Sequence, residues 1–357
     1  MKVYMVGSTY LGCNYVRMAL PMMENGWTGS YMGLTKASLK PVKRIRDEMM
    51  NADIIVFHRP ATVHYHKIGM ILKGMGKKIV FDNDDSFNLD ASHPFRDVDE
   101  KGFKQNRKKL NNLVNNFIIN SDLVTTTTEF LAKEYRQIHK NVVVLPNCVD
   151  PDDWGEPLEN KTGKVRIGIV GSVAYHHDFE KIKGLLRKLD ARKDVQLVLI
   201  GLWDNSKRED NPLVNKVHKK EFKFWDSLKN KEHIPWCDVV YYMESLRQAR
   251  LDMMLIPRRE NHFNKAKSNI KFLEASMLEI PVIAQGFKDG LSPYDNDIDG
   301  TNGVLVTDDS KWEEEVMLMI RNPGKRLILG ANAKSYVLNN YQIKDHAYKW
   351  AEAYVKL

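Results

Sequence analysis

The chain has 357 residues, of which 43% are hydrophobic and 28% charged, so it is long enough for two domains that each bury a core. No apolar run reaches bilayer length, and Lys2 to Val6 reads as a strand rather than a signal-like start, so a cytoplasmic protein is expected. Cys13, Cys148 and Cys237 are odd in number and far apart, which argues against a disulfide framework or a zinc site and for reduced thiols. The net charge is +8, and +6 of it falls within residues 1–150. Basic density peaks at Lys40 to Arg46 and at Lys101 to Lys109. Such runs are either solvated helix faces or the footprint of an anionic partner.

Short apolar strands alternate with helical stretches as far as about residue 306, the pattern of an α/β fold with parallel sheets. In the first half the spacing predicts strands at Val3–Val6, Ile54–Phe57, Lys78–Phe81, Leu123–Thr126 and Val142–Leu145. Pro151 to Gly163 is polar and reads as a linker. A second series then starts at Lys164–Ser172 and continues at Val195–Gly201, Asp252–Pro257, Pro281–Ala284 and Gly303–Val306. Two Rossmann-like units, 1–150 and 164–325, are therefore expected in tandem, with a ligand cleft beyond the carboxyl ends of their strands. Residues 326–357 have a helical pattern with a polar break near Asn339 and Asn340. No repeat, heptad run or low-complexity segment is evident.

Phe263 to Ile283 joins a basic polar loop, an amphipathic helix and a buried strand in one run. Ile270, Leu273, Met277 and Leu278 recur at helical spacing, Ser268 and Asn269 are good N-cap types, and Pro281 is expected to stop the helix. A helix N-terminus flanked by Lys265, Lys267 and Lys271 suits phosphate, because its N–H groups and positive dipole end meet the anion while ammonium groups neutralise it. Glu274 is then placed to hold ribose hydroxyls. The other reading of this run is a surface helix with solvated lysines.

The run resembles the donor-site signature of the group 1 retaining glycosyltransferases, enzymes of GT-B fold. Other landmarks follow in that family's order: Asp53 to Pro60, then Lys77 to Asp85 with its aspartate-rich end as in a bacterial and phage subgroup, and Leu145-Pro146-Asn147-Cys148-Val149-Asp150, in which Cys148 replaces a glycine. One departure stands out. The family carries an acidic residue eight positions before the glutamate, and here that position is Ala266.

The resemblance implies two Rossmann-like domains, a C-terminal helix crossing back to the first, and transfer of a sugar from a nucleoside diphosphate, UDP-sugar above others, with no bound metal or cofactor. It aligns Asp84 with a family histidine that faces the transferred sugar. The residues themselves leave two further readings of Asp82, Asp84 and Asp85: a site for a hard cation, or turn carboxylates that cap backbone N–H groups. Gly171 and Ser172 resemble the donor-side glycine turn, and Trp236 lies where the family places the nucleotide base, although a plain core role fits it equally. His176, His177 and Asp178 follow that turn, with function and an ordinary helix start evenly balanced. Gly7 and Gly12 flank a turn after the first strand; Arg59 and Arg258 follow strand ends and are expected in the cleft, with Arg258 and Arg259 suited to phosphate. The turn is not Gly-x-Gly-x-x-Gly, which disfavours a nicotinamide dehydrogenase.

Catalytic roles are thus expected for Asp84, Lys267 and Lys271, and donor contacts for Gly171, Ser172, Trp236, Lys265, Ser268, Asn269 and Glu274. The acceptor is either a glycan or lipid-linked saccharide, or hydroxymethylated bases of DNA. The rival reading is a catalytically silent protein that keeps the fold and binds a sugar nucleotide or polyanion, for which Ala266 is the best support.

Overall fold

In the computed structural model, residues 1–7, 12–30, 43–88, 100–171, 176–201, 219 and 223–357 are described. The chain forms two six-stranded sheets in which every pairing is parallel. The first contains β1 (Val3–Val6), β2 (Thr28–Ser30), β3 (Ile54–His58), β4 (Lys78–Asn83), β5 (Leu123–Thr126) and β6 (Val142–Val144), in the order β2-β1-β3-β4-β5-β6. The second contains β7 (Val165–Val170), β8 (Val195–Ile200), β9 (Lys231–Ile234), β10 (Met253–Ile256), β11 (Val282–Gln285) and β12 (Val304–Val306), in the order β12-β11-β10-β7-β8-β9. Central strands are buried on both faces, as a parallel sheet between helix layers requires.

β2 and β9 are not expected from the sequence, and both lie at sheet edges. Edge strands tolerate polar residues, so Thr28-Gly29-Ser30 and Lys231-Glu232-His233 carry no apolar run. Gly29 is needed for close approach, since a Cβ there would lie 2.6 Å from the Met5 carbonyl oxygen.

Each sheet has an apolar cluster on either face. The helix Pro323–Asn340 packs with the second domain through Leu329, Ala333 and Val337. Only from Ile343 onward does the chain join the first domain, where Ile343, Trp350 and Tyr354 pack against Val3, Met5 and Val56. The contacts with the first domain thus follow the polar break at Asn339 and Asn340. The two interdomain crossings are tied together: Val149 N–H donates to the Tyr341 carbonyl (2.9 Å) and Ile343 N–H to the Val149 carbonyl (2.9 Å).

Candidate functional site

In a parallel sheet the loops on either side of a reversal in strand order diverge and leave a crevice. The first sheet reverses between β1 and β3, and the second between β7 and β10. These two reversals share one cleft of about 430 Å³, lined from one side by Gly12, Arg59 and Asp84 and from the other by Gly171, Arg258 and Lys267.

The first-domain wall is built on the ends of β3 and β4. Arg59, directly after β3, has a φ of +50°, a left-handed conformation that costs a non-glycine residue roughly 1–2 kcal/mol. That conformation is fixed by its own contacts. Arg59 N–H donates to the Asp82 carbonyl (2.9 Å), Nε donates to Asp84 Oδ1 (2.6 Å) and the terminal nitrogen Nη2 to Asp85 Oδ2 (2.5 Å). Asp84 Oδ1 also lies 3.1 Å from His58 Nε2, whose ring is fully buried and has Nδ1 3.0 Å from Asn14 Oδ1. Burial alone would raise the Asp84 carboxyl, but the Arg59 charge and the His58 hydrogen bond outweigh it and hold the group well below the usual carboxylate range.

The three aspartates do not converge on one point. Asp82 faces away from the cleft, where the buried Arg17 grips it through Nε (3.1 Å) and Nη2 (2.5 Å). Arg17 continues to the Leu145 carbonyl and to Asn147 Oδ1 (3.4 Å), and Asn147 Nδ2 donates to Ser268 Oγ (2.9 Å) of the second domain. Trp350, on the returning helix Tyr348–Val355, lies under the guanidinium at 5.7 Å. A polar relay therefore runs from β4 through the interdomain crossing to Ser268, just ahead of the helix Ile270–Met277.

That helix forms the second-domain wall. Phe272, Leu273 and Met277 bury its inner face. It ends before Pro281: Glu279 adopts φ +53° and Ile280 N–H returns to the Ala275 carbonyl (3.0 Å), a left-handed helix-ending turn. Asn269 occupies the cap position without capping, since its side chain donates instead to the buried Asp297 (2.8 Å). Ser268, Ile270, Lys271 and Glu274 line the cleft.

The lysines are not isolated cations. Lys267 Nζ bridges the domains to Asp85 Oδ1 (2.5 Å) and lies over the Phe263 ring. Lys271 Nζ donates to Glu274 Oε2 (2.8 Å) and to the Tyr242 hydroxyl (2.9 Å), which itself donates to Glu274 (2.7 Å). Trp236 is 37% exposed and lines the cleft beside Gly201 and Pro235, so it is not a core residue. Arg258 is buried against Asp178 (3.0 Å), and the other oxygen of Asp178 accepts from Arg259 N–H (2.9 Å) and Asn264 Nδ2 (2.8 Å). Asp178 thereby organises the loop after β10, while His177 lines the cleft and faces Glu180 (3.4 Å).

Three expected residues stand outside the cleft lining. Gly7 packs on Asn14, whose side chain a Cβ would strike at 2.1 Å. Lys265 is turned to Glu260 and Asp289 on the surface, and Asn269 is directed to Asp297. Ser172 lies outside the described residues. Ala266, at the position of the family acid, is fully buried and packs into the core of the first domain, with its carbonyl accepting from Thr128 Oγ1 (3.5 Å). Sequence reading misses His58, Arg17 and Tyr242 as site-builders. Asp85 has a signal in the aspartate run; Tyr242 has none, because its partners are set by how a neighbouring helix packs.

No family model and no curated protein matches the chain in sequence. Solved structures do match it in shape. Sucrose-phosphate synthase from Thermosynechococcus elongatus superposes with a TM-score of 0.70 at 13% identity, covering 100% of this chain and 99% of its own. HepE of Anabaena, in complex with UDP and glucose, gives 0.69 at 12% identity and 100% coverage of both chains. A glycosyltransferase from Rickettsia africae gives 0.61 at 12% identity, covering 99% of this chain and 98% of its own. Two Rossmann-like domains matched along their whole length define a GT-B fold. Among the described residues no helix is long and apolar enough to cross a membrane.

Proposed function

We propose that the protein is a glycosyltransferase that moves a sugar from a nucleoside diphosphate, a UDP-sugar, to an acceptor hydroxyl, with retention at the anomeric carbon and without a metal ion. One observation carries this reading: the N-terminal end of the helix Ile270–Met277, with Lys267 and Lys271, faces Arg59 and Asp84 across a cleft at the two strand-order reversals. A diphosphate at that end meets backbone N–H groups, the positive dipole and the Ser268 hydroxyl. Glu274 takes the ribose, Trp236 the base, and Asp84 faces the sugar. Departure of the diphosphate limits the reaction, so the helix end and the lysines contribute by stabilising charge as it develops.

The pairing of Lys267 with Asp85 and of Lys271 with Glu274 fits this role. A diphosphate competes for ammonium groups that are already oriented, and the carboxylates prevent like charges from splaying the cleft before it arrives. The likeness in fold to HepE, solved in complex with UDP and glucose and with UDP-glucose, supports the choice of donor class. Assay of UDP release from UDP-sugars, with excess chelator present, tests the proposal. Full activity in chelator is expected; activity that vanishes and returns with magnesium or manganese overturns the metal-free mechanism.

The buried Ala266 favours a second reading, a catalytically silent sugar-nucleotide or polyanion binder. Donor hydrolysis without acceptor excludes it, because even slow turnover requires a working leaving-group site. The acceptor, a saccharide or a hydroxymethylated base in DNA, is identified by mass spectrometry of candidate acceptors incubated with the donor.

A further inference from the structure

Cys13, His58 and Asp84 come from three separate segments, and their Sγ, ring nitrogen and carboxylate oxygen all lie within 4.8 Å of one another. No spacing in the sequence joins them, which is why the cysteine pattern alone argues against zinc. His58 is oriented as a ligand is. Its Nδ1 is committed to Asn14 Oδ1 (3.0 Å), so that the side-chain amide oxygen fixes the ring and leaves Nε2 pointing at Asp84 Oδ1 (3.1 Å). Around a tetrahedral ion with bonds of about 2.0–2.3 Å, neighbouring donor atoms are about 3.3–3.8 Å apart, so closing the three around one ion takes shifts of about an ångström or less. A metal ion binds cysteine as the thiolate and takes the place of the thiol proton.

We propose that Cys13, His58 and Asp84 form an inhibitory site for zinc or a similar transition-metal ion at the floor of the cleft. The ion displaces to water both the Cys13 proton and the Nε2 proton of the His58–Asp84 hydrogen bond, and forms bonds to Sγ, Nε2 and an Asp84 oxygen, with a fourth position left for water. Thiolate and imidazole select zinc or cobalt over magnesium, which demands oxygen ligands. Arg59, 2.6 Å from Asp84, opposes the ion electrostatically. Loss of the thiol proton removes one of the two charges that the ion adds, and Asp85 remains beside the guanidinium to share its charge. Bound metal takes the Asp84 oxygen away from the sugar. That inhibition rests on the transferase reading, whereas metal binding does not.

Cobalt titration of the reduced, chelator-treated full chain tests binding directly. A near-ultraviolet thiolate-to-cobalt charge-transfer band should grow to one equivalent, be lost on addition of zinc, and be unaffected by magnesium. In Cys13→Ser the band should vanish, with UDP release in chelator unchanged and the inhibitory zinc concentration raised at least about tenfold. If that variant does not fold, zinc protection of Cys13 from alkylation in the wild-type chain, read by mass spectrometry, replaces it. No band at one equivalent, a band that survives Cys13→Ser, or alkylation of Cys13 unaffected by zinc overturns the site. Absence of UDP release alongside a normal cobalt band instead overturns the transferase reading alone.

Discussion

The two strand-order reversals that face each other across the cleft are made of opposite materials. At the first, a side chain in a strained backbone conformation, Arg59, gathers Asp84 and Asp85, and a buried histidine backs the cluster. At the second, a glycine follows β7 and a helix presents its N-terminus, with Lys271 restrained by Glu274 and Tyr242. One wall is an ion cluster in which a single guanidinium holds two carboxylates; the other offers positive backbone ends and lysines that an anion can recruit. Asp85 to Lys267 is the ion pair that joins them. On the proposed reading, the second domain binds the leaving group and the first positions the sugar.

The largest expected effect lies behind the first wall. Arg17→Ala leaves Asp82 buried without its guanidinium, and removal of one partner of a buried pair costs about 3–5 kcal/mol. Urea unfolding should show that loss, and the double variant Arg17→Met with Asp82→Asn should recover most of it. If Arg17→Ala unfolds like the wild type, the relay from β4 to Ser268 carries no stability.

On the second wall, Lys271→Ala should leave the fold intact and slow transfer by about a hundredfold, corresponding to about 3 kcal/mol of transition-state stabilisation. Glu274→Gln should act mainly on donor affinity. Unchanged turnover in a folded Lys271→Ala protein would mean that the two walls do not divide the work as described.

The acid limb of stability separates the walls again, with a smaller effect. Asp84 titrates lower in the folded chain than its usual value of about 3.9, so its contribution is fully present above about pH 4 and is lost as pH falls through the depressed folded value. Asp84→Asn should therefore flatten the decline of the urea midpoint below about pH 4, and it should lower turnover more than donor affinity. An acid limb identical to the wild type would contradict the pairing with Arg59.

The smallest effect concerns the outer face of the first domain. Lys104, Lys108 and Lys109 are exposed on the helix Glu100–Asn120, whereas Arg107 donates to Asn88 in the loop that follows the aspartates. If DNA is the acceptor, neutralising the three lysines should flatten the dependence of log affinity on log salt by about one unit for each phosphate left without its lysine, equally for all sequences. Donor binding should not change. No salt-sensitive DNA binding at low ionic strength assigns this helix to solvent and the acceptor to saccharides.

The tandem α/β plan is legible because buried parallel strands leave continuous apolar runs such as Ile54–Phe57 and Val195–Ile200, and because the polar Pro151–Gly163 stretch interrupts the series. Edge strands β2 and β9 escape notice because Thr28-Gly29-Ser30 and Lys231-Glu232-His233 form no apolar run. In the site, Ser268, Lys271 and Glu274 are legible from a local pattern, a helix and its flanking loop, whereas Trp236 is pointed to only by the family resemblance. Lys265 and Asn269 belong to the same pattern but point elsewhere, because side-chain direction depends on which carboxylate, Asp289 or Asp297, the tertiary fold brings near.

By itself, then, the sequence determined what hydrophobic periodicity and chain order encode: two Rossmann-like units, a helical C-terminal segment and a helix start flanked by lysines after Phe263. Tertiary structure alone decided the pairings. Arg17 with Asp82, His58 with Asp84, Lys267 with Asp85 and Asn147 with Ser268 join residues 26 to 182 positions apart. Charges and hydrogen-bonding groups carry no period along a chain, and their partners are chosen only when sheet order and domain closure bring distant strand ends within about 3 Å of each other.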